Sequence, residues 1–162
     1  MATAALAFAS VANAYRPSAW GCFERQADGQ CIVTVSIGNG FAEIDQRVIR
    51  EVMANFSESP NIEVVEAASR GSADVAIVQG CAKGHLCGFF TDMQTRVVYI
   101  DKQWSYANYC CDAHDGMRGV YCHELMHGLG IDDFWTRSEP SCFNGTSPYL
   151  GVEDRLWISQ TY

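Results

Sequence analysis

His123-Glu124-Leu125-Met126-His127-Gly128-Leu129-Gly130-Ile131-Asp132-Asp133 is the stretch from which the rest of the chain can be read. On an α-helix, residues four apart lie one turn from each other on the same face, so the imidazoles of His123 and His127 reach a single metal ion. Glu124 sits beside the first ligand, where its carboxylate faces a metal-bound water rather than the metal. Gly130 tolerates the left-handed backbone conformation that stops a helix and turns the chain sharply. That turn returns Asp133 towards the two rings as a third ligand. Asp132 and Asp133 are adjacent, so one of them is expected to bind; the spacing favours Asp133 and leaves Asp132 solvated or capping.

A His-x-x-x-His pair alone is more often an accident of a helix surface than a metal site. The extended pattern HExxHxxGxxD adds a general base, a turn and a third ligand at fixed offsets, and it implies zinc. His114 is the alternative third ligand if the turn were built differently, although an ordinary loop histidine is the simpler account. His85, beside Cys87 in a Gly-rich turn, reads as structural. Three protein ligands leave a fourth position open to water, the arrangement of a catalytic rather than a structural zinc. Zinc lowers the pKa of bound water from ~15.7 towards ~7. Glu124 is then the general base, taking the water's proton and later delivering it to a leaving amine. Tyr149 is a candidate second oxyanion donor, against plain packing in its loop. Phe134 and Trp135, directly after the third ligand, either line the pocket beyond the scissile bond or belong to the core.

With 162 residues the chain is long enough for one domain with a sizeable core and short for two. The net charge of −8 argues against nucleic acid or an anionic membrane as partner, since both need a basic surface. Residues 1–14 are Ala-rich and uncharged and end in Val11-Ala12-Asn13-Ala14, which fits a signal-peptidase site before Tyr15. A basic n-region is missing, and a short apolar N-terminal helix is the rival reading. Eight cysteines, all after that point, suit an oxidising compartment and suggest disulfides rather than a thiolate zinc site, because no Cys-x-x-Cys pair occurs. Cys22–Cys31 and Cys81–Cys87 are the plausible local loops, leaving Cys110 and Cys111 for Cys122 and Cys142. Sequons occur at Asn55 and Asn144.

The β-branched run at residues 31–37 reads as a strand ending in the turn Gly38-Asn39-Gly40. Phe41, Ile44, Val48, Val52 and Phe56 recur at helical spacing and mark an amphipathic helix that ends near Pro60. Residues 62–65, 74–78 and 97–100 read as strands, with 88–91 as a brief edge strand. The motif helix is expected from about residue 115 or 117 to 129, and a short helix over 152–158. The order predicts an α+β fold, one mixed twisted sheet with two long helices and a small C-terminal subdomain carrying a short helix.

His123, Glu124, His127, Gly130 and Asp133 together resemble the metzincin zinc peptidases, most closely the snapalysin-like group, whose motif ends in Asp. The element order over about 30–158 is similar to the metzincin catalytic domain. The resemblance implies a metzincin-like zincin domain over residues 15–162, a secreted, monomeric, zinc-dependent endopeptidase acting on protein or peptide substrates. It further implies an edge strand above the cleft that binds extended substrate by strand addition. Gly88, Phe89 and Phe90 are the candidates for that edge. The chain departs from the family in one respect: no methionine follows Met126, so the methionine turn is missing, and Ser141-Cys142-Phe143-Asn144-Gly145 occupies the expected stretch. Phe143 is the candidate for that apolar floor. Two alternatives keep the same residues: a zinc-dependent hydrolase of non-peptide amides or esters, and a non-catalytic disulfide-rich binding module. Glu124 argues against the second, since a binding site has no need of a base.

Overall fold

The computed structural model describes residues 22, 24–81, 88–101, 113–131, 140–142 and 147–162, the side chains of 113–116 excepted. The elements follow in the order β1 (Glu24–Arg25), β2 (Cys31–Ile37), α1 (Glu43–Ser57), β3 (Ile62–Glu66), β4 (Val75–Gln79), β5 (Phe89–Asp92), β6 (Val97–Ile100), α2 (Ala113–Gly128) and α3 (Val152–Thr161). A 3-10 turn at Arg70–Ser72 precedes β4. The fold is α+β, with one mixed sheet. Residues 1–14, Asp132, Asp133, Phe134, Trp135, Phe143, Asn144, His85, Cys87, Cys110 and Cys111 lie outside the described residues.

The sheet is in phase throughout. Strands β3 and β4 both pair with β2 in parallel, and β6 pairs with β4 in parallel. Parallel neighbours need a crossover between them, which α1 supplies between β2 and β3. The register sets Val35 against Val75 and Ile77 against Val98. Because side chains alternate along a strand, this places Cys31, Val33, Val35, Ile62, Val64, Val75, Ile77, Val98 and Ile100 on one buried face. Strand β5 alone reverses direction beyond the two-residue β1: it is antiparallel to β6, ends the strand order, and sets Thr91 opposite Val98. Phe89 and Thr91 therefore face the same layer as the core valines.

Helix α1 buries Val48, Ile49, Val52, Met53 and Phe56. Its stripe keeps Val48, Val52 and Phe56 where the spacing put them and widens to include Ile49 and Met53. Ile44, expected inside, is 42% exposed, while Phe41 is buried before the helix begins. The sequon at Asn55 is woven into the fold. The Asn55 Oδ1 accepts from the Leu150 amide at 3.2 Å, and the Ser57 hydroxyl accepts from the Val64 amide at 2.9 Å.

Two disulfides link described residues, Cys22–Cys31 and Cys122–Cys142, with Cα atoms 5.4 and 5.9 Å apart. The first matches the sequence expectation. The second corrects it: Cys122 and Cys142 bond each other rather than Cys110 and Cys111. Both are fully buried, so the C-terminal segment is stitched to the inner side of α2. Cys81 is also disulfide-bonded.

Helix α2 presses its last turn onto the sheet at Gly128. A Cβ there would lie 2.9 Å from Val75 Cγ1 and 3.5 Å from Val98 Cγ2. Alanine ordinarily favours a helix interior over glycine by about 1 kcal/mol. Overpacking a rigid strand costs about 1–3 kcal/mol and wins here. Gly128→Ala is expected to lower stability in urea unfolding; an unchanged or higher midpoint would mean that the helix can lift off Val75.

Candidate metal centre

Helix α2 is apolar around most of its circumference. Met117, Val120, Tyr121, Cys122, Leu125 and Met126 are all buried. Its outer edge is tied by Arg118, which pairs with Glu51 of α1 and donates to the Tyr149 hydroxyl at 3.1 Å. What remains is a narrow face on which His123 and His127 are half-buried. A helix held on so many sides has little freedom to roll, so the two imidazoles are placed by packing rather than by their own rotamers.

The rings meet edge to face, with centroids 4.8 Å apart. Their Nε2 atoms lie 3.1 Å from each other. Two Zn–N bonds of ~2.0–2.1 Å at a tetrahedral angle set the nitrogens about 3.3 Å apart. The pair therefore fits a tetrahedral cation of that size. Among the described residues no group of three His, Cys, Asp or Glu side chains forms; Asp133 lies outside them. His114, read as a loop histidine, is instead inside α2, nine residues and about 13 Å along the axis before His123.

The end of α2 fixes the second imidazole. Gly130 has a φ of +88°, its amide bonds the His127 carbonyl at 2.8 Å, and the Ile131 amide bonds the Met126 carbonyl at 3.2 Å. These two bonds with a left-handed glycine make a Schellman stop. The turn delivers the Ile131 carbonyl oxygen to within 2.6 Å of His127 Nδ1. A carbonyl can only accept, so Nδ1 carries the hydrogen and Nε2 keeps its lone pair for a cation. The buried carbonyl of Leu129 accepts from the Tyr162 hydroxyl, and burial pushes that phenol well above its ordinary pKa, so it stays a donor.

Glu124 is 3% exposed. Its Oε2 accepts from the Thr91 hydroxyl at 2.5 Å, and the same hydroxyl oxygen lies 3.1 Å from the Glu124 main-chain oxygen. Thr91 belongs to β5 and faces the buried layer, so the strand that ends the sheet touches the carboxylate directly. Sequence reasoning placed Thr91 at the end of the candidate substrate edge, residues 88–91, and gave it no link to Glu124. Its one signal is strand alternation, which turns a polar side chain inward beside Phe89.

The structure thus brings His123, Glu124 and His127 together and adds Thr91. Gly88, Phe89 and Phe90 lie on or beside β5, in the strand that touches Glu124. Tyr149 is 47% exposed, and its hydroxyl partners Arg118, whose guanidinium carbon sits 5.2 Å from the ring centroid.

Comparison by sequence finds neither a matching family model nor a matching curated protein. Comparison by structure finds two structures of myroilysin. One, at 10% identity and a TM-score of 0.55, covers 84% of this chain and 96% of its own. The other, at 11% identity and a TM-score of 0.57, covers 91% and 88%. High choriolytic enzyme 1, a hatching enzyme zinc-protease from Oryzias latipes, aligns over 74% of this chain and 53% of its own at 17% identity and a TM-score of 0.47. The chain shares the fold of the two myroilysin structures.

Alanine cannot adopt the Gly130 conformation without strain of about 1–2 kcal/mol. Gly130→Ala is expected to lose about that much stability in urea unfolding of chelator-treated protein. Wild-type stability would show that the left-handed turn is not what ends α2.

Proposed function

We propose that this protein is a secreted zinc-dependent endopeptidase of snapalysin-like type, with His123, His127 and Asp133 as metal ligands and Glu124 as general base. The observation that carries the reading is the pair of Nε2 atoms 3.1 Å apart beside a buried carboxylate on the same helix, in a metzincin-like fold. The Schellman stop supports Asp133 as third ligand, since it turns the chain three residues earlier, at Gly130. Zinc, when bound, supplies a Lewis acid that acidifies water and polarises a carbonyl. The chain's own residues do the rest. His127 holds its free lone pair towards the cation because Ile131 fixes the ring's tautomer. Glu124 accepts the proton of the attacking water and delivers it to the amine nitrogen that leaves. Gly88, Phe89 and Phe90 receive the extended substrate alongside β5. Phe134 and Trp135 border the residue after the cut, and Tyr149 is retained as the candidate donor to the developing oxyanion. Disulfides within the fold support an oxidising, extracellular setting, with residues 1–14 as the signal that is removed and 15–162 as the catalytic domain.

The test is zinc content together with digestion of denatured casein. Oxidised wild-type protein is expected to hold one equivalent of zinc, to cut casein, and to stop when the metal is chelated. Glu124→Ala is expected to keep its zinc and to lose about 10²–10⁴-fold in rate. Wild-type turnover in Glu124→Ala, or protein without stoichiometric transition metal, would overturn the proposal. Release of a small acyl group with casein left intact would redirect it to non-peptide amides or esters.

A further inference from the structure

Glu124 can act as a base only if its carboxylate stays where the reacting water lies. A glutamate has three rotatable side-chain bonds, and nothing in the helix itself selects one rotamer. Thr91 selects it. The threonine hydroxyl sits 2.5 Å from Oε2, and its oxygen lies 3.1 Å from the main-chain oxygen of the same residue, so the carboxylate is bonded at a point close against its own helix backbone. Its hydrogen goes to the nearer, charged oxygen, which makes the stronger bond. Thr91 is itself stiff, because a β-branched residue has few χ1 states and this one is 8% exposed. Its strand is fixed in register, with Thr91 opposite Val98 and Phe90 opposite Tyr99.

From this geometry we infer that Thr91 is a positioning residue for Glu124, holding the general base in its working rotamer from the strand that borders the substrate. The inference rests on the reading of Glu124 as general base. Strand β5 then serves the site twice, since the backbone of residues 88–90 pairs with extended substrate in that reading and the next residue on the same strand orients the base. Loss of that hydroxyl leaves the metal ligands untouched and leaves substrate binding to the rest of the strand, so the defect belongs in kcat rather than KM.

The experiment uses four variants of the full, oxidised protein, the fourth being Thr91→Val combined with Glu124→Ala. Thr91→Val keeps the shape and removes the hydroxyl; Thr91→Ser keeps the hydroxyl and removes the methyl; Glu124→Ala supplies the second corner of a cycle. Rates on fluorescently labelled denatured casein are measured across substrate concentration, with zinc content determined on the same samples. Thr91→Val is expected to hold its zinc, to keep KM within about twofold, and to lose about 10–100-fold in kcat, the scale of a misplaced catalytic group. Thr91→Ser is expected to restore kcat to within about threefold of wild type. Thermal midpoints of the zinc-free proteins form the independent arm. Thr91→Val is expected to lower the midpoint by about 2–4 °C in the wild-type background and to lower it much less in Glu124→Ala. Undiminished kcat in Thr91→Val, a serine variant as impaired as the valine, or additive midpoints would overturn this inference alone. Wild-type protein that leaves casein intact would overturn the reading of the site, and this inference with it.

Discussion

Helix α2 has to stop within one turn of His127, and the stop has to hand a carbonyl oxygen back to that ring. In a continuing helix the carbonyl of Ile131 would point along the axis, away from residue 127, and Nδ1 would be left to solvent. The left-handed step at Gly130 swings the Ile131 carbonyl round to 2.6 Å from Nδ1. One backbone feature therefore does two things: it ends the helix, and it chooses which imidazole nitrogen carries the proton. The carbonyls that the ending helix would strand are taken up locally: those of Met126 and His127 by the turn, and that of Leu129 by Tyr162. A buried carbonyl without a partner costs about 1–3 kcal/mol, so the tyrosine is part of the stop rather than an ornament to it.

The stop acts on a helix that cannot otherwise move. Gly128 lies against Val75 and Val98, and the backbone of Ser147 and Pro148 packs beside Gly119. Arg118 links the helix to Glu51 of α1. The same crowding sets how the glutamate is used. With Leu125 buried on one side of it and the strand β5 above, Glu124 meets the sheet through the Thr91 hydroxyl.

The parts of this arrangement that were legible in the sequence are those written in local spacing. His123, Glu124 and His127 converge because four residues make a turn, and Gly130 ends the helix because glycine alone tolerates that φ. The strands at Ile62–Glu66 and Val97–Ile100 follow from β-branched runs, and the edge strand at Phe89–Asp92 was placed within one residue. What escaped depends on long-range packing. Helix α2 begins at Ala113, earlier than expected, and runs through the helix-weakening glycines at 116 and 119. Thr91 and Glu124 are 33 residues apart, and no periodicity links a strand residue to a helix residue across a sheet. The bond between Cys122 and Cys142 is of the same kind: spacing favoured neighbours in the chain, whereas the fold buried these two together.

That disulfide also bears on the segment between the helix and the C-terminal portion. It closes a loop of sequence separation 20 whose interior contains Asp132, Asp133, Phe134 and Trp135. Closing a loop of this length removes about 3 kcal/mol of chain entropy from the unfolded state. Its two ends are both anchored in the core: Cys122 lies one residue before the first imidazole, and Cys142 follows Ser141, whose hydroxyl bonds the buried Asp154 at the start of α3. Asp133 is three residues past the Gly130 turn and nine before Cys142, so its reach is bounded from both directions. A third ligand carried on a loop loses affinity to the entropy of ordering that loop when metal binds. In the proposed reading, with Asp133 as third ligand, the bond at Cys142 would remove part of that cost before a cation binds. In a chain that lacks a methionine after its third candidate ligand, the cystine beside His123 supplies a covalent anchor in the stretch where the resemblance expects an apolar floor.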